Sequence, residues 1–452
     1  MAIYRISAAL VPPNVDEIPS SAAIAYRPFD VIDQIVVKRE GVSETLKPLV
    51  ILDDAHTLQA TQFDLVRRWL ARRELKVARW VITRFDALTP RQVLLSPGLS
   101  TDREITYIRM QGDSGRSSER TAFRKMAKDI SARYLRRMET FSRRGLVDLR
   151  SLLGTVPEPI TAGNLEKLKR RIDTVQKNNG VSAARRAQLE ELVDGYFKDG
   201  NEEDVRLASL SILMERYKKR TRARVTQLDI FAEDDIESDP DPSVPIAMDA
   251  GVADGARIHL LHKYNRPYYY GIDALCDAGS ENAEQFLLLA SGLVTQLETK
   301  LIRKRDDLTL GAREQDRLLR ERASDLIKEW DFPHARAVRS LVDKIAIQCV
   351  EKSLEGNASL KGGAIAFGIP MSEFELLPTT HPDLAKVLQF AVAYNAIVLV
   401  QDHGAKNQKW CLIELGGAML LREGLTLARG GFLERTLDDL DALLTAGTSD
   451  GR

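Results

Sequence analysis

Asp53 and Asp54 stand side by side at the end of a short apolar run, Leu49-Val50-Ile51-Leu52. A carboxylate fixed at a strand end is the ligand a hard divalent cation such as Mg²⁺ prefers, and a second one beside it can orient a water toward a phosphate. Asp53 is therefore the expected metal ligand and Asp54 the expected catalytic carboxylate. The same residues also read as a buried strand that ends in two acids at a turn. A second apolar run, Ala78 to Thr83, closes on Trp80-Val81-Ile82-Thr83-Arg84. A hydroxyl and a guanidinium at a strand end can meet a terminal phosphate, so Thr83 and Arg84 are the expected phosphate contacts. The competing reading pairs Arg84 with Asp86 or Asp54 at the surface. His56 has no partner histidine close by in sequence and reads as a loop residue, not a catalytic one.

Other residues could meet a polyanion. Arginines gather at Arg133, Arg136, Arg137, Arg143 and Arg144, and cations again at Lys218, Lys219, Arg220, Arg222 and Arg224. Such clusters can neutralise nucleic-acid phosphates, but solvated helix faces balanced by nearby acids are preferred here. Tyr268-Tyr269-Tyr270 could stack bases and reads better as a packed edge. Lys406 and Lys409, in a polar turn near the end of the chain, are the candidate nucleic-acid contacts. The global balance of 65 Lys and Arg against 65 Asp and Glu supplies no general attraction to nucleic acid or membrane. Cys276, Cys349 and Cys411 follow neither a disulfide framework nor a zinc-ligand spacing. No apolar run reaches the roughly 18 residues a membrane span needs. A cytoplasmic protein with no membrane partner is expected.

These residues need elements to position them. The chain, at 452 residues, is long enough for two or three domains. The apolar run at 49–52, helical spacing of Phe63, Val66, Trp69 and Leu70, and the run from Ala78 make a βαβ unit, hence a parallel sheet with buried strands. Before it, Val31 to Val37 is β-like among proline breakers; after it, Glu104 to Met110 is β-like again. Residues 1–115 thus form an α/β part. Residues 116–230 read as helical, with breaks at Asn178-Asn179-Gly180 and Asp199-Gly200-Asn201. Residues 231–256, rich in Asp, Glu and Pro, read as an acidic linker. Residues 257–332 carry helices at Gly271 to Leu301 and Arg313 to Trp330. In 333–452, helices at Val338 to Leu354 and Leu384 to Tyr394 precede a hairpin of Ala396 to Val400 and Trp410 to Leu415, the order of a winged helix.

Leu49 to Leu58 with the following helix, and then Trp80 to Asp86, resemble the Walker B and sensor-1 strands of P-loop NTPases of the STAND and ORC-type AAA ATPase group, which includes bacterial proteins linked to defence. The resemblance implies ATP as ligand, Mg²⁺ at Asp53, a water-activating role for Asp54, phosphate sensing at Thr83 or Arg84, a helical lid and a winged helix. It also implies a DNA or protein partner for that winged helix and admits a homo-oligomer. The fold class expected is a partial P-loop-type parallel sheet followed by a helical lid region and a winged-helix domain. Two departures narrow the expectation. No GxxxxGK[ST] loop occurs anywhere in the sequence, and only 48 residues precede Leu49, so the simplest account is a core lacking its front half. In Gly279-Ser280-Glu281-Asn282-Ala283-Glu284, similar to the lid turn whose arginine touches the nucleotide, Glu284 takes the arginine's place. An ordinary helix start, with Ser280 as N-cap and an acidic first turn, explains those residues without a ligand and is the preferred reading. The expected function is an ATP-binding regulatory ATPase-like protein without independent turnover. The alternative is a DNA-binding or protein-interaction winged-helix module on a degenerate ATPase scaffold.

Overall fold

The computed structural model describes residues 34–39, 41–72, 75–95, 108, 117–197, 202–226, 246–304, 307–358, 360, 362–405, 408–429 and 431–445. The β-like run at 104–110, the turn after it and most of the acidic stretch lie outside the described residues. The chain divides into two units. One comprises Met1–Leu88 with Pro97–Ile108, the other Thr89–Ser96 with Arg109–Arg452.

In the first unit, β1 (Ile35–Arg39) and β2 (Val42–Leu46) form an antiparallel hairpin, with Gly41 at φ 84° in its turn. All ten strand residues are exposed. β3 (Leu49–Leu52), α1 (Ala60–Leu70) and β4 (Ala78–Val81) then make the βαβ unit, with β3 and β4 parallel and Leu49 opposite Ala78. On α1 the expected stripe of Phe63, Val66, Trp69 and Leu70 turns inward while Leu65 stays exposed. The buried-strand expectation is corrected. Ile51 is 49% and Trp80 56% exposed, because among the described residues β3 and β4 pair only with each other and neither face of the pair is fully covered.

The second unit opens with a short helix, α2 (Pro90–Leu94), which nothing in the sequence pattern announced. Thr89 caps it, with Gln92 completing a reciprocal capping box. α3 (Ser117–Arg137) and α4 (Glu139–Ser142) follow. Next come α5 (Ala162–Asn178), α6 (Ala183–Tyr196), α7 (Glu203–Thr226) and α8 (Ala250–Tyr264). Leu168, Ile172, Leu189, Val193, Val205, Ile212, Leu213, Ala256 and Leu260 interlock there as one core. α8 starts at Ala250, inside the stretch expected as linker. Its Asp249 cap accepts from the Val252 N–H at 2.8 Å, so the linker composition ends earlier than its acids suggested. The ion pair of Arg266 with Asp204, 2.8 Å apart with both side chains buried, ties the segment after α8 to the start of α7.

α9 (Gly271–Ala278), α10 (Ala283–Ile302) and α11 (Ala312–Lys328) complete the helical region. The last part runs α12 (Ala335–Ser353), β5 (Ala366–Pro370), α13 (Met371–Phe374), α14 (Leu377–Thr380), α15 (Pro382–Ala393), β6 (Ile397–Ala405), β7 (Gln408–Leu415), α16 (Gly417–Glu423), β8 (Phe432–Glu434) and α17 (Leu437–Thr445). Its sheet has four strands in the order β6-β7-β5-β8, antiparallel except for β5 with β8. The hairpin is longer than its sequence implied, because β6 resumes after an irregularity between Val400 and His403 and continues to Ala405. No helix among the described residues is long and apolar enough to cross a membrane.

Candidate functional site at the end of the parallel strands

The β3–β4 ladder continues one step beyond the strands, where the Ile82 N–H donates to the Leu52 carbonyl at 2.9 Å. In an unbroken parallel ladder Asp54 would donate next. Instead the Ala55 N–H reaches the Ile82 carbonyl at 3.0 Å, and Asp54 is looped out with φ 53°, the left-handed region that aspartate tolerates better than most residues. Its freed N–H is taken by its neighbour, donating to Asp53 Oδ1 at 2.9 Å. Thr57 Oγ1 fixes the far side of the turn by donating to the Asp54 carbonyl at 2.9 Å. Asp53 thus spends one carboxylate oxygen on the turn. The Asp54 carboxylate projects into solvent, 75% exposed, with His56 Nδ1 3.8 Å from its Oδ1.

On the neighbouring strand the Thr83 hydroxyl is buried and has no hydrogen-bond partner among the described residues. A buried hydroxyl left without a partner is costly, which marks the position. Arg84 pairs with Asp86, Nη2 to Oδ2 3.1 Å, the surface-pair reading of that residue. Arg79 carries weight that sequence pattern gave no sign of. From β4 its guanidinium donates to the carbonyls of Leu70, Arg72 (2.9 Å), Leu75 (2.8 Å) and Val77 (3.1 Å), capping the end of α1 and the loop into β4. It positions the strand that carries Thr83. No group of three or more His, Cys, Asp or Glu residues that could hold a metal occurs among the described residues, so any cation here would rest on Asp53, Asp54 and outside oxygens.

The remaining sequence candidates lie elsewhere. Glu284 is exposed in the first turn of α10, whose cap is Asn282, accepting from the Gln285 N–H at 3.0 Å. Ser280 is not the cap. It sits at φ 48° and its hydroxyl accepts from the Gly417 N–H at 2.8 Å, holding α16 against the turn after α9. That approach is close: a side chain at Gly417 would overlap the carbonyl of Ala278. Lys406 lies outside the described residues. Lys409 pairs with Asp402 at 2.9 Å, and that partner raises the pKa of its ammonium. Tyr268 and Tyr269 are packed, Tyr269 donating to the Leu420 (2.9 Å) and Leu425 (2.5 Å) carbonyls, so neither offers a face to a base. Arg143 turns to Glu139, and Arg144 to the Leu301 carbonyl at 3.4 Å.

Sequence pattern also missed a buried charge cluster in the second unit. Arg120 and Arg124 of α3 both clamp Asp277 at the end of α9, each Nε 2.8 Å from Oδ1, and they hold that carboxyl below its usual range against the opposing effect of burial. Arg429 pairs with Glu281 and lies 3.8 Å from Glu414 on β7. Burial pushes the Glu414 carboxyl up to about 7.

The model of the ORC-CDC6-like family matches residues 3–412 of this chain. No curated protein and no solved structure matches it. The match takes in the strand pair bearing Asp53 and Thr83, the whole helical region and most of the C-terminal sheet, and the chain belongs to the ORC-CDC6-like family.

Proposed function

We propose that this chain is an ATP-binding, regulatory ATPase-like protein of the STAND and ORC type that holds Mg-ATP at the ends of β3 and β4. The supporting observation is the strand end itself. Asp54 is expelled from the ladder, Asp53 keeps one carboxylate oxygen outside the turn bond, and the adjacent strand buries a Thr83 hydroxyl without a partner. An all-oxygen donor set of this kind suits Mg²⁺, which would neutralise phosphate charge when bound. Asp53 would hold the cation, Asp54 would orient water, and Thr83 with Arg84 would read the terminal phosphate. The fit to the triphosphate is incomplete, since none of the 452 residues forms a GxxxxGK[ST] cradle. A regulatory role without independent turnover follows from that gap. A place in bacterial defence rests on the resemblance alone. Calorimetric titration of Mg-ATP into the purified chain tests the reading. Binding that weakens about tenfold or more in Asp53→Ala supports it, and no binding by either protein sinks it.

A second reading takes the C-terminal part, with its order of helix, strand, short helices, helix and hairpin, as a winged helix. Two observations favour a protein-binding winged helix over a DNA-reading one. Eight of the twelve residues of α15, the helix that would enter a groove, are buried, and the hairpin's Lys409 pairs with Asp402. Duplex binding that falls steeply with salt and weakens in Lys406→Ala with Lys409→Ala would reverse that preference.

A further inference from the structure

We propose that the solvent face of α5, together with the end of α8, is a binding surface for the phosphate backbone of a duplex nucleic acid. α5 buries Leu168, Ile172 and Val175 on one side. With 3.6 residues to the turn, the opposite side carries Lys167, Arg170, Arg171 and Lys177, all exposed. No acid stands among them. The two acids of the helix lie at the edge of this face and turn to other cations, Glu166 to Lys169 at 3.8 Å and Asp173 to Arg186 at 2.9 Å.

Many surface cations of the fold are paired. Arg143 meets Glu139, Arg186 meets Glu190, Arg206 meets Asp194 and Arg317 meets Glu321. Among the described residues the side chains of Lys167, Arg170, Arg171 and Lys177 make neither an ion pair nor a hydrogen bond. A second helix adds to the face. Lys263, in the last turn of α8, reaches solvent and is likewise without an acidic partner among the described residues. Partial burial, and after it the Arg171 guanidinium, lower the Lys263 ammonium to about 8 from 10.5. The same two charges add to burial in lowering His259, one turn back on α8. Cations from two helices held together without a counter-charge repel one another, and a bound anion relieves that repulsion.

The arrangement selects the ligand. From Lys167 to Lys177 the cations run about 15 Å along the helix axis, a length over which one strand of a duplex presents about four phosphates. No aromatic residue lies on the face to stack an unpaired base, so a single strand finds no platform there. No large apolar residue lies there to enter a bilayer, which a helix seated in a membrane surface needs. Contacts of this kind hold the backbone and read no sequence.

Fluorescence anisotropy of a labelled duplex oligonucleotide, titrated with the full chain in the absence of nucleotide, tests the surface. The parent should bind, with affinity falling steeply between about 50 and 200 mM salt. A triple variant, Lys167→Ala with Arg170→Ala and Arg171→Ala, alters no buried side chain and should not lower the melting temperature. It should weaken binding at the lower salt by at least about tenfold and reduce the slope of log K against log salt by about 3. Arg170→Lys with Arg171→Lys should keep the parent's slope, and Lys406→Ala with Lys409→Ala should bind as the parent does. No duplex binding by the parent at low salt overturns the proposal, and so does a triple variant that binds as tightly as the parent. Loss of binding in Lys406→Ala with Lys409→Ala but not in the triple variant would move the contact to the hairpin and overturn it as well. Binding to phosphatidylserine vesicles but not to the duplex, lost in the triple variant, would assign the face to a membrane instead.

Discussion

Asp54 sets the geometry of the candidate site by leaving the ladder, and the side chain that permits this is its neighbour's. A left-handed conformation costs an ordinary L-residue about 1–2 kcal/mol, less for Asp or Asn, and an N–H out of the ladder needs an acceptor, which Asp53 Oδ1 supplies. Two roles can therefore be separated by substitution. Asp54→Asn should keep the melting temperature close to that of the parent, because asparagine tolerates the same backbone, and should leave Mg-ATP affinity within a few-fold if Asp54 orients water and does not hold metal. Asp54→Val, at the same φ of 53°, should lose about 1–2 kcal/mol of stability in chemical denaturation. Asp53→Asn keeps an acceptor for the Asp54 N–H and so should leave the turn intact while lowering Mg-ATP affinity by about tenfold or more. If Asp53→Asn unfolds the first unit instead, its carboxylate is needed for the fold and the ligand assignment loses its support.

At the scale of elements, the helices and the strand pair were legible because their apolar residues recur with the right period. Phe63, Val66, Trp69 and Leu70 turn inward on α1, and the break at Asn178 to Gly180 falls at the end of α5, while the one near Gly200 lies outside the described residues. What stayed hidden was of another kind. β5 is buried from Ala366 to Ile369, so it shows no alternation to read. β8 has only three residues. α2 is stabilised by a contact with α15, distant in sequence, and Thr89-Pro90 alone is a weak helix signal. The strand end was legible at Asp53 and Thr83 from the apolar runs before them. The looping-out of Asp54 and the clamp of Arg79 were not, since both depend on backbone carbonyls and ladder register that side-chain type does not encode. Arg79 yields an element-scale prediction. Its guanidinium caps four carbonyls between α1 and β4, so Arg79→Ala should cost about 1–3 kcal/mol. Arg79→Lys should recover little of it, because an ammonium cannot span the same carbonyls. Protease sensitivity of the segment between Leu70 and Ala78 is the direct readout, and equal cleavage of parent and Arg79→Ala would show the clamp to be dispensable.

For the whole molecule, charge is balanced in total, and among the described residues two buried groups, Glu414 and His259, pull stability in opposite directions with pH. Burial raises Glu414 to about 7 from an ordinary 4.5, so the folded chain binds that proton more tightly than the unfolded one. Its contribution is complete below about 4.5 and is lost as pH rises toward 7. His259 is lowered by burial to about 4 from 6.5, its Nε2–H donating to the Ser353 carbonyl at 3.2 Å. There the unfolded chain binds the proton more tightly, so the histidine contribution is complete above about 6.5 and is lost as pH falls toward 4. Each large shift corresponds to about 3 kcal/mol as an upper figure, and across pH 4.5 to 6.5 the two slopes oppose each other. The parent should therefore show a shallow stability profile through that window. Glu414→Gln removes the falling component and should unmask stability that climbs with pH. Arg429 keeps Glu281 as its partner, so no buried charge is stranded. His259→Asn should unmask the reverse, stability that declines as pH rises from 4.5 toward 7. Thermal melts of the three proteins at half-unit pH intervals decide the matter. Parallel profiles for the parent and Glu414→Gln would mean that Glu414 remains ionised beside Arg429 in the folded chain.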